Sequence, residues 1–271
     1  MKLRRFLLYL FLTAGAFIAF YPFLWMVGTA LKTPAEATTA SLVFWPETPQ
    51  WQNIRATFAA APFARYFFNS FLVSMTVCLC VCLTSLMAGY AFARLRFRGN
   101  NLLFALTLSS MMVPFEVIFI PNFVLITRLG WYNTYPALIV PWCANAFSIF
   151  LMRQPFMALP RDFYDAAVVD GCGHLRFLAQ IATPLVKPML ITVALFAFLG
   201  SYNALLWPLI VTSDDAMRVV QVGLTAFYSD AGLRLNLLMC ASTVVILPSL
   251  LVYFVAQRYF VESAVSAGIK G

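Results

Sequence analysis

The sequence predicts an all-α, polytopic membrane protein with six transmembrane helices, and three observations carry that prediction. Of its 271 residues, 62% are hydrophobic and only 10% are charged, where a soluble domain carries about 25% charged residues. Six apolar runs, at roughly 6–28, 67–92, 102–124, 135–155, 188–211 and 237–260, each reach the length of about 20 residues that crosses a hydrocarbon core as a helix. The runs are continuous, unlike the alternating segments of about ten residues that build a barrel. Helices and closed barrels are the only backbones that lipid tolerates.

Lysine and arginine set the expected orientation. With the N-terminus inside, the cytoplasmic segments hold 12 of the 18 basic residues, including Lys2, Arg4, Arg5, Arg153, Arg161, Arg176 and Lys187. The sharpest signal is the short "RLRFRGN" turn, with Arg94, Arg96 and Arg98 between two spans. Positive charge favours the cytoplasmic side of short loops, so both termini are expected there and residues 1–271 form one transmembrane domain. The net charge of +8 then reflects topology. A nucleic-acid footprint would cluster that charge on one soluble face, and no nucleic-acid partner is expected.

Each element follows from its own residues. The first span opens on "MKLRRFLLYLFLTAGAFIAF" and runs on through "YPFLWMVG". A signal-peptide core stops after about 7–15 apolar residues, so this segment is expected to remain as a span. The outer segment that follows, about 29–66, carries Trp45, Trp51, Phe58 and Phe63, aromatic residues suited to the headgroup level. It is too short for a soluble domain that captures a solute. The second span contains "CLCVC", with Cys78, Cys80 and Cys82. Residues two apart on a helix do not share a face, so these cysteines read as small hydrophobes. Cys143 and Cys172 fall on opposite sides, and no disulfide is expected.

The third run, "MMVPFEVIFIP", places Glu116 between Pro114 and Pro121. A charge near the bilayer centre costs about 2.5–3.5 kcal/mol on insertion scales. Two readings stand side by side: Glu116 lines a polar pathway, or it caps a helix broken at proline. Asn145 and Asn203, in the fourth and fifth runs, are candidates for interhelical hydrogen bonds or for the same pathway. Prolines recur through the spans, at 22, 136, 141, 155, 208 and 248, and bend helices whose freed carbonyls neighbours must satisfy. The "SDD" of Asp214 and Asp215 lies in an outside loop and reads as solvated rather than metal-binding.

Between the fourth and fifth runs lies an inner loop, about 156–187, that is too polar to span and too apolar for water. In "DFYDAAVVD" six of nine residues are apolar. Asp162 is placed to cap a helix, with Asp165 three residues on. Gly171 and Gly173 then break it, since glycine enters left-handed geometry without strain. A second helix is expected over "HLRFLAQIA", with Leu175, Leu178 and Ile181 at helical spacing. Pro184 is expected to end it and Pro188 to start the next span. Such a helix–turn–helix docks into a groove on a soluble partner, or lies against the bilayer; the residues alone leave both open.

The same segment resembles the EAA loop of ABC-importer permeases. That pattern is Glu-Ala-Ala, three residues, Gly, nine residues, Ile, one residue, Leu-Pro. Here it reads Asp165-Ala166-Ala167, Gly171, Ile181 and Thr183-Pro184 at the same spacing, with Asp for Glu and Thr for Leu. "PFARYFFNSFLVS", "AGYAFARLRFRGN", "LWPLI" and "FVAQRYF" are similar to the inner-membrane subunits of carbohydrate importers of the maltose and glycerol-3-phosphate type. The resemblance implies a type I ABC-importer permease bundle in a bacterial inner membrane. It implies a homologous second permease, a dimer of ATPase subunits, an extracytoplasmic solute-binding protein and a sugar-like solute. Asp165, Ala166, Ala167, Gly171, Ile181 and Pro184 would then couple the chain to the ATPase. Asp165 would pair with a basic group there, or serve only as the cap described above. The tail "SAVSAGIKG" is similar to the family's Gly-rich end, which in some members reaches the ATPase dimer.

The chain has no glycine-rich phosphate loop ending in Lys-Ser or Lys-Thr, so it is expected to bind no cofactor itself, with ATP and Mg2+ on the partner. An ion-coupled secondary transporter is the alternative reading. It would need intramembrane carboxylates or histidines as relays. Only Glu116 qualifies, and the sole histidine, His174, lies in the loop. An intramembrane metalloprotease would need paired histidines with a glutamate, which the sequence lacks.

Overall fold

The computed structural model describes the backbone of residues 2–39, 44–229 and 232–268, with side chains for 4–39, 44–228 and 232–257. The end of the "SAVSAGIKG" tail, from 269, lies outside the described residues. Among the described residues, three helices are long and apolar enough to cross a membrane, or up to six if each of three bent helix pairs is one span. The chain divides into two compact units, Met1–Ala64 with Val220–Pro248, and Arg65–Val219 with Ser249–Gly271.

The first unit begins with α1 (Lys2–Ala30), which is apolar on every side and exposed along residues 4–24. A helix that is hydrophobic all round is built for an apolar surrounding. After it come α2 (Pro34–Thr38) and α3 (Gln52–Ala60). Thr33 and Glu36 form a capping box on α2: the Thr33 N–H donates to Glu36 Oε2 at 2.8 Å and the Glu36 N–H donates to Thr33 Oγ1 at 3.3 Å. Buried Asn53 holds the end of α1, donating from Nδ2 to the carbonyls of Ala30 and Lys32, each at 2.9 Å. Trp45, Trp51 and Phe58 are exposed as the interfacial reading requires, but Phe63 is buried, stacked on Phe227 with centroids 6.0 Å apart.

The second unit is organised on α4 (Phe63–Arg94). Its buried face, Asn69, Ser70, Val73, Ser74, Val77, Val81 and Ser85, is small and partly polar, while Phe68, Leu72, Met75, Leu79, Leu83 and Met87 face outward. Large apolar residues outside and small or hydroxyl residues inside suit a helix whose solvent is lipid. The close approach of the helix over Ala146–Ala158 explains Gly89: a Cβ there would lie 2.9 Å from Met152 Cβ and 3.1 Å from the Arg153 nitrogen.

Several predicted spans are broken. The run at 102–124 is two helices, α5 (Asn100–Ser109) with a tight turn at Ser110–Met112, then α6 (Phe115–Arg128), and they are bent by 97°. The cause is local: Pro114 forces Val113 out of helical geometry, to φ −81° and ψ 114°. The run at 135–155 comprises α7 (Tyr135–Ile139), a turn over Val140–Trp142, and α8 (Ala146–Ala158), bent by 43°. The inner loop forms α9 (Asp162–Val169), α10 (His174–Phe177), a widened π turn at Leu178–Ala182 and α11 (Thr183–Leu185). The run at 188–211 becomes α12 (Lys187–Tyr202) and α13 (Leu206–Val211). The chain closes with α14 (Val220–Gly223), a short hairpin of β1 (Tyr228–Ser229) and β2 (Gly232–Leu233), and α15 (Leu235–Gly268). Hairpin pairing is antiparallel, Tyr228 opposite Leu233, a small departure from the all-α expectation.

Candidate coupling elbow and polar cavity

The segment from α9 to α12 is an elbow. His174–Leu185 and Lys187–Tyr202 meet at 87°. Three predictions about it need correcting. Asp162 does not cap α9: it sits inside the first turn, Arg161 takes the cap position in helical geometry, and no side chain bonds the exposed N–H groups. Nor does Asp165 complete a capping box, because its N–H bonds the Arg161 carbonyl at 3.0 Å as an ordinary turn of helix. Pro184 does not end the second helix but lies within it, and the break falls at Val186. The π turn just before it explains this. Proline removes one hydrogen bond and crowds the preceding turn; the widened turn gives it room, and Thr183 Oγ1 donates to the Leu178 carbonyl at 2.7 Å.

Gly171 does what its residue type predicts. Its φ is +72°, its N–H bonds the Val168 carbonyl at 2.9 Å, and the Cys172 N–H bonds the Ala167 carbonyl at 2.8 Å. That pair of bonds is the Schellman arrangement, which satisfies the last carbonyls of α9.

Within the second unit, the elbow is pinned to α4 through aromatic side chains. Tyr90 of α4 is hydrogen-bonded through its hydroxyl to His174 Nδ1 at 2.8 Å. Tyr164 of α9 is bonded to His174 Nε2 at 3.0 Å and stacks on the imidazole with centroids 4.9 Å apart. Phe177 is buried beside both, its centroid 5.1 Å from Tyr164 and 6.2 Å from Tyr90. Arg94 donates from Nη2 to the Leu159 carbonyl just before α9.

What faces outward is apolar. Val169 is 87% and Leu175 75% exposed, and Phe163 and Val168 are exposed too. A shallow depression on the elbow is lined by Pro160, Asp162, Phe163, Ala166, Ala167, Asp170 and Ile181. The structure therefore brings together Ala166, Ala167 and Ile181 of the predicted set. Asp165, Gly171 and Pro184 are not among the lining residues. Its acidic residues are Asp162 and Asp170, both missed as surface groups by the sequence reading. The signal was present: residues 162, 163, 166, 167 and 170 share one helical face.

The three pathway candidates do not converge. Glu116 is exposed in the first turn of α6, whose cap position is Pro114, and it makes no capping hydrogen bond there. Asn145 caps α8, its Oδ1 accepting from the Ser148 N–H at 3.0 Å. Asn203 ends α12 and donates to the Leu199 carbonyl of its own helix at 3.0 Å. Of the three, only Asn145 lines a cavity of about 360 Å3 within the second unit. Its walls come from α4, the α7–α8 junction, α12 and α13.

Asp214 and Asp215 are engaged structurally. Asp214 Oδ2 accepts from Asn133 Nδ2 at 2.6 Å, and Asp215 Oδ1 accepts from Tyr66 at 2.6 Å and from Arg218 at 3.1 Å. The Asn133 hydrogen bond, then the Ala216 N–H, hold the Asp214 carboxyl below its ordinary value.

Residues 81–264 match a family described as the binding-protein-dependent transport system inner membrane component. The chain belongs to that family. The matched stretch includes the whole elbow and makes the chain a multi-pass membrane protein. This inner membrane component is 33% identical to the arabinooligosaccharides transport system permease protein AraQ of Halalkalibacterium halodurans, across 94% of this chain and 93% of that protein. It is 30% identical to the lactose transport system permease protein LacG of Rhizobium radiobacter, over 94% of this chain and 92% of the relative. The sn-glycerol-3-phosphate permease protein UgpE of Yersinia enterocolitica is 30% identical over 94% of each chain. A crystal structure of a bacterial ABC transporter that imports the acidic polysaccharide alginate superposes with a TM-score of 0.81, at 22% identity, over 96% of this chain and 97% of that one. The fold of this inner membrane component is therefore that of an ABC-importer permease.

Proposed function

We propose that the chain is a non-catalytic, membrane-spanning subunit of an ATP-driven importer for a sugar or related polar solute. It pairs with a homologous permease, receives solute from an extracytoplasmic binding protein, and is driven by a separate ATPase dimer that carries ATP and Mg2+. Six crossings with both termini inside put the α9–α11 elbow in the cytoplasm, where Ala166, Ala167, Gly171 and Ile181 dock and Asp165 pairs with a basic group. ATPase closure moves the elbow, and the bundle alternates between outward- and inward-facing states.

The observation that carries this reading is the exposed apolar elbow in a chain of this family: Val169 and Leu175 are 87% and 75% exposed, at the tip of a segment pinned by buried aromatics. Apolar side chains so placed favour a partner surface. Ala166 offers the cleanest test, because it is exposed whereas Ala167 is buried and a charge there also disturbs the elbow itself. Ala166→Asp is expected to leave membrane insertion intact, to lose the ATPase on purification in mild detergent, and to cut ATP-dependent sugar uptake at least about tenfold. Normal co-purification and uptake by that variant would overturn the docking assignment.

A further inference from the structure

The cavity of about 360 Å3 falls within the range of about 300–1,000 Å3 typical of small-molecule sites. Three features give it a chemical character. Ser74 of α4 lines it, is 1% exposed, and its hydroxyl has no hydrogen-bond partner. Other hydroxyls on the same helix bond back to their own backbone: Thr76 to Leu72 at 2.7 Å, Thr84 to Val81 and Ser85 to Cys82, each at 3.2 Å. An unpaired buried hydroxyl has lost its water without replacing it, so a group that supplies its partner is stabilised there. Next, Trp142 and Trp207 meet edge to face with centroids 6.2 Å apart, and Trp207 is fixed by its Nε1–H donating to the Ala137 carbonyl at 2.9 Å. Flat aromatic surface beside hydroxyl and amide groups suits a ring with one apolar face and a hydroxylated edge. Asn145 adds an amide whose cap occupies only Oδ1, leaving Nδ2 to donate. Finally, no charged side chain is among the lining residues.

We infer that this cavity is a solute subsite for a neutral saccharide, which Ser74 and Asn145 hydrogen-bond while the Trp142–Trp207 pair packs on the ring. The inference rests on the importer reading and narrows it. A phosphate or uronate would enter a wall without a cation, and burying an unpaired anion costs far more than burying a hydroxyl that is hydrogen-bonded. The chain itself then contacts the solute and discriminates by charge.

The test uses the assembled transporter, with its partner permease, ATPases and binding protein, in proteoliposomes. Arabinotriose, lactose, maltotriose, glycerol 3-phosphate and a mannuronate trimer are the probes. Wild type is expected to accumulate a neutral saccharide and neither anion. Ser74→Ala should raise the half-saturating concentration by about three- to tenfold, the span of one neutral hydrogen bond, with maximal rate retained, and Ser74→Thr should restore it. Gly200 lines the cavity and has nothing within 4 Å of a Cβ built on it; Gly200→Leu fills the space without a clash at Cβ and should abolish uptake at unchanged yield of the complex. Uptake of a neutral saccharide that none of these substitutions alters overturns the subsite and leaves the importer standing. Uptake of an anion in preference to the neutral sugars overturns the assignment of solute class. A wild type that accumulates none of the probes with ATP sinks the importer reading, and the subsite with it.

Discussion

His174 shows how one side chain sets the attachment of an element. Both ring nitrogens are hydrogen-bonded, at 2.8 Å to Tyr90 on α4 and at 3.0 Å to Tyr164 on α9, and the ring also stacks on Tyr164. Phenylalanine would keep the stack and lose both bonds. Each neutral bond is worth about 0.5–1.5 kcal/mol, and the Tyr90 hydroxyl, whose residue is buried, would be left unpaired at further cost. His174→Phe should therefore reduce ATP-dependent uptake about three- to tenfold while the chain inserts and assembles in normal amounts, with partial recovery in His174→Gln. Wild-type uptake by His174→Phe would mean that the pin is dispensable. Little of this was legible from residue order, because Tyr90 and Tyr164 lie 84 and 10 positions from the histidine and no local period links them. Gly171, in contrast, was legible: the need for positive φ is a property of the residue type itself.

At the scale of elements, hydropathy located each apolar run but not its direction. The run 102–124 is as soluble in hydrocarbon bent as straight, so transfer energy alone could not reveal the 97° break. The prolines carried that information, and they carried it unevenly. Pro114 breaks a helix, Pro121 and Pro155 sit inside theirs, and Pro184 is absorbed by a widened turn. What decides is whether the neighbouring backbone finds other hydrogen bonds, which sequence spacing does not record. The α4–α8 contact is sharper. With α8 backbone about to meet any Cβ at Gly89, Gly89→Ala must push the two helices apart. We expect it to lower the stability of the purified complex by about 1–3 kcal/mol, the usual cost of overpacking. Gly15→Ala, where a Cβ meets nothing within 4 Å, should not lower it. Equal thermal unfolding of the two variants would refute the close packing.

For the whole molecule, the 87° elbow and the cavity share one helix. α12 begins at the elbow and carries Phe196, Ala197, Gly200 and Ser201 along the cavity wall. Val186, at the corner, is 2% exposed and packed on all sides, a suitable fulcrum. The arm from His174 to Leu185 is about 18 Å long at about 1.5 Å per residue. The geometry is that of a bell crank: a thrust of about 2 Å at the tip turns both arms by about 6°, and the far end of α12, about 24 Å from the corner, sweeps about 2–3 Å. Spin labels at Leu175 and Leu199 would then keep a constant separation through an ATP cycle, while each shifts against a third label on α6. A separation that changes while the Leu199–α6 distance stays fixed would mean that the corner bends and that the cavity never feels the thrust.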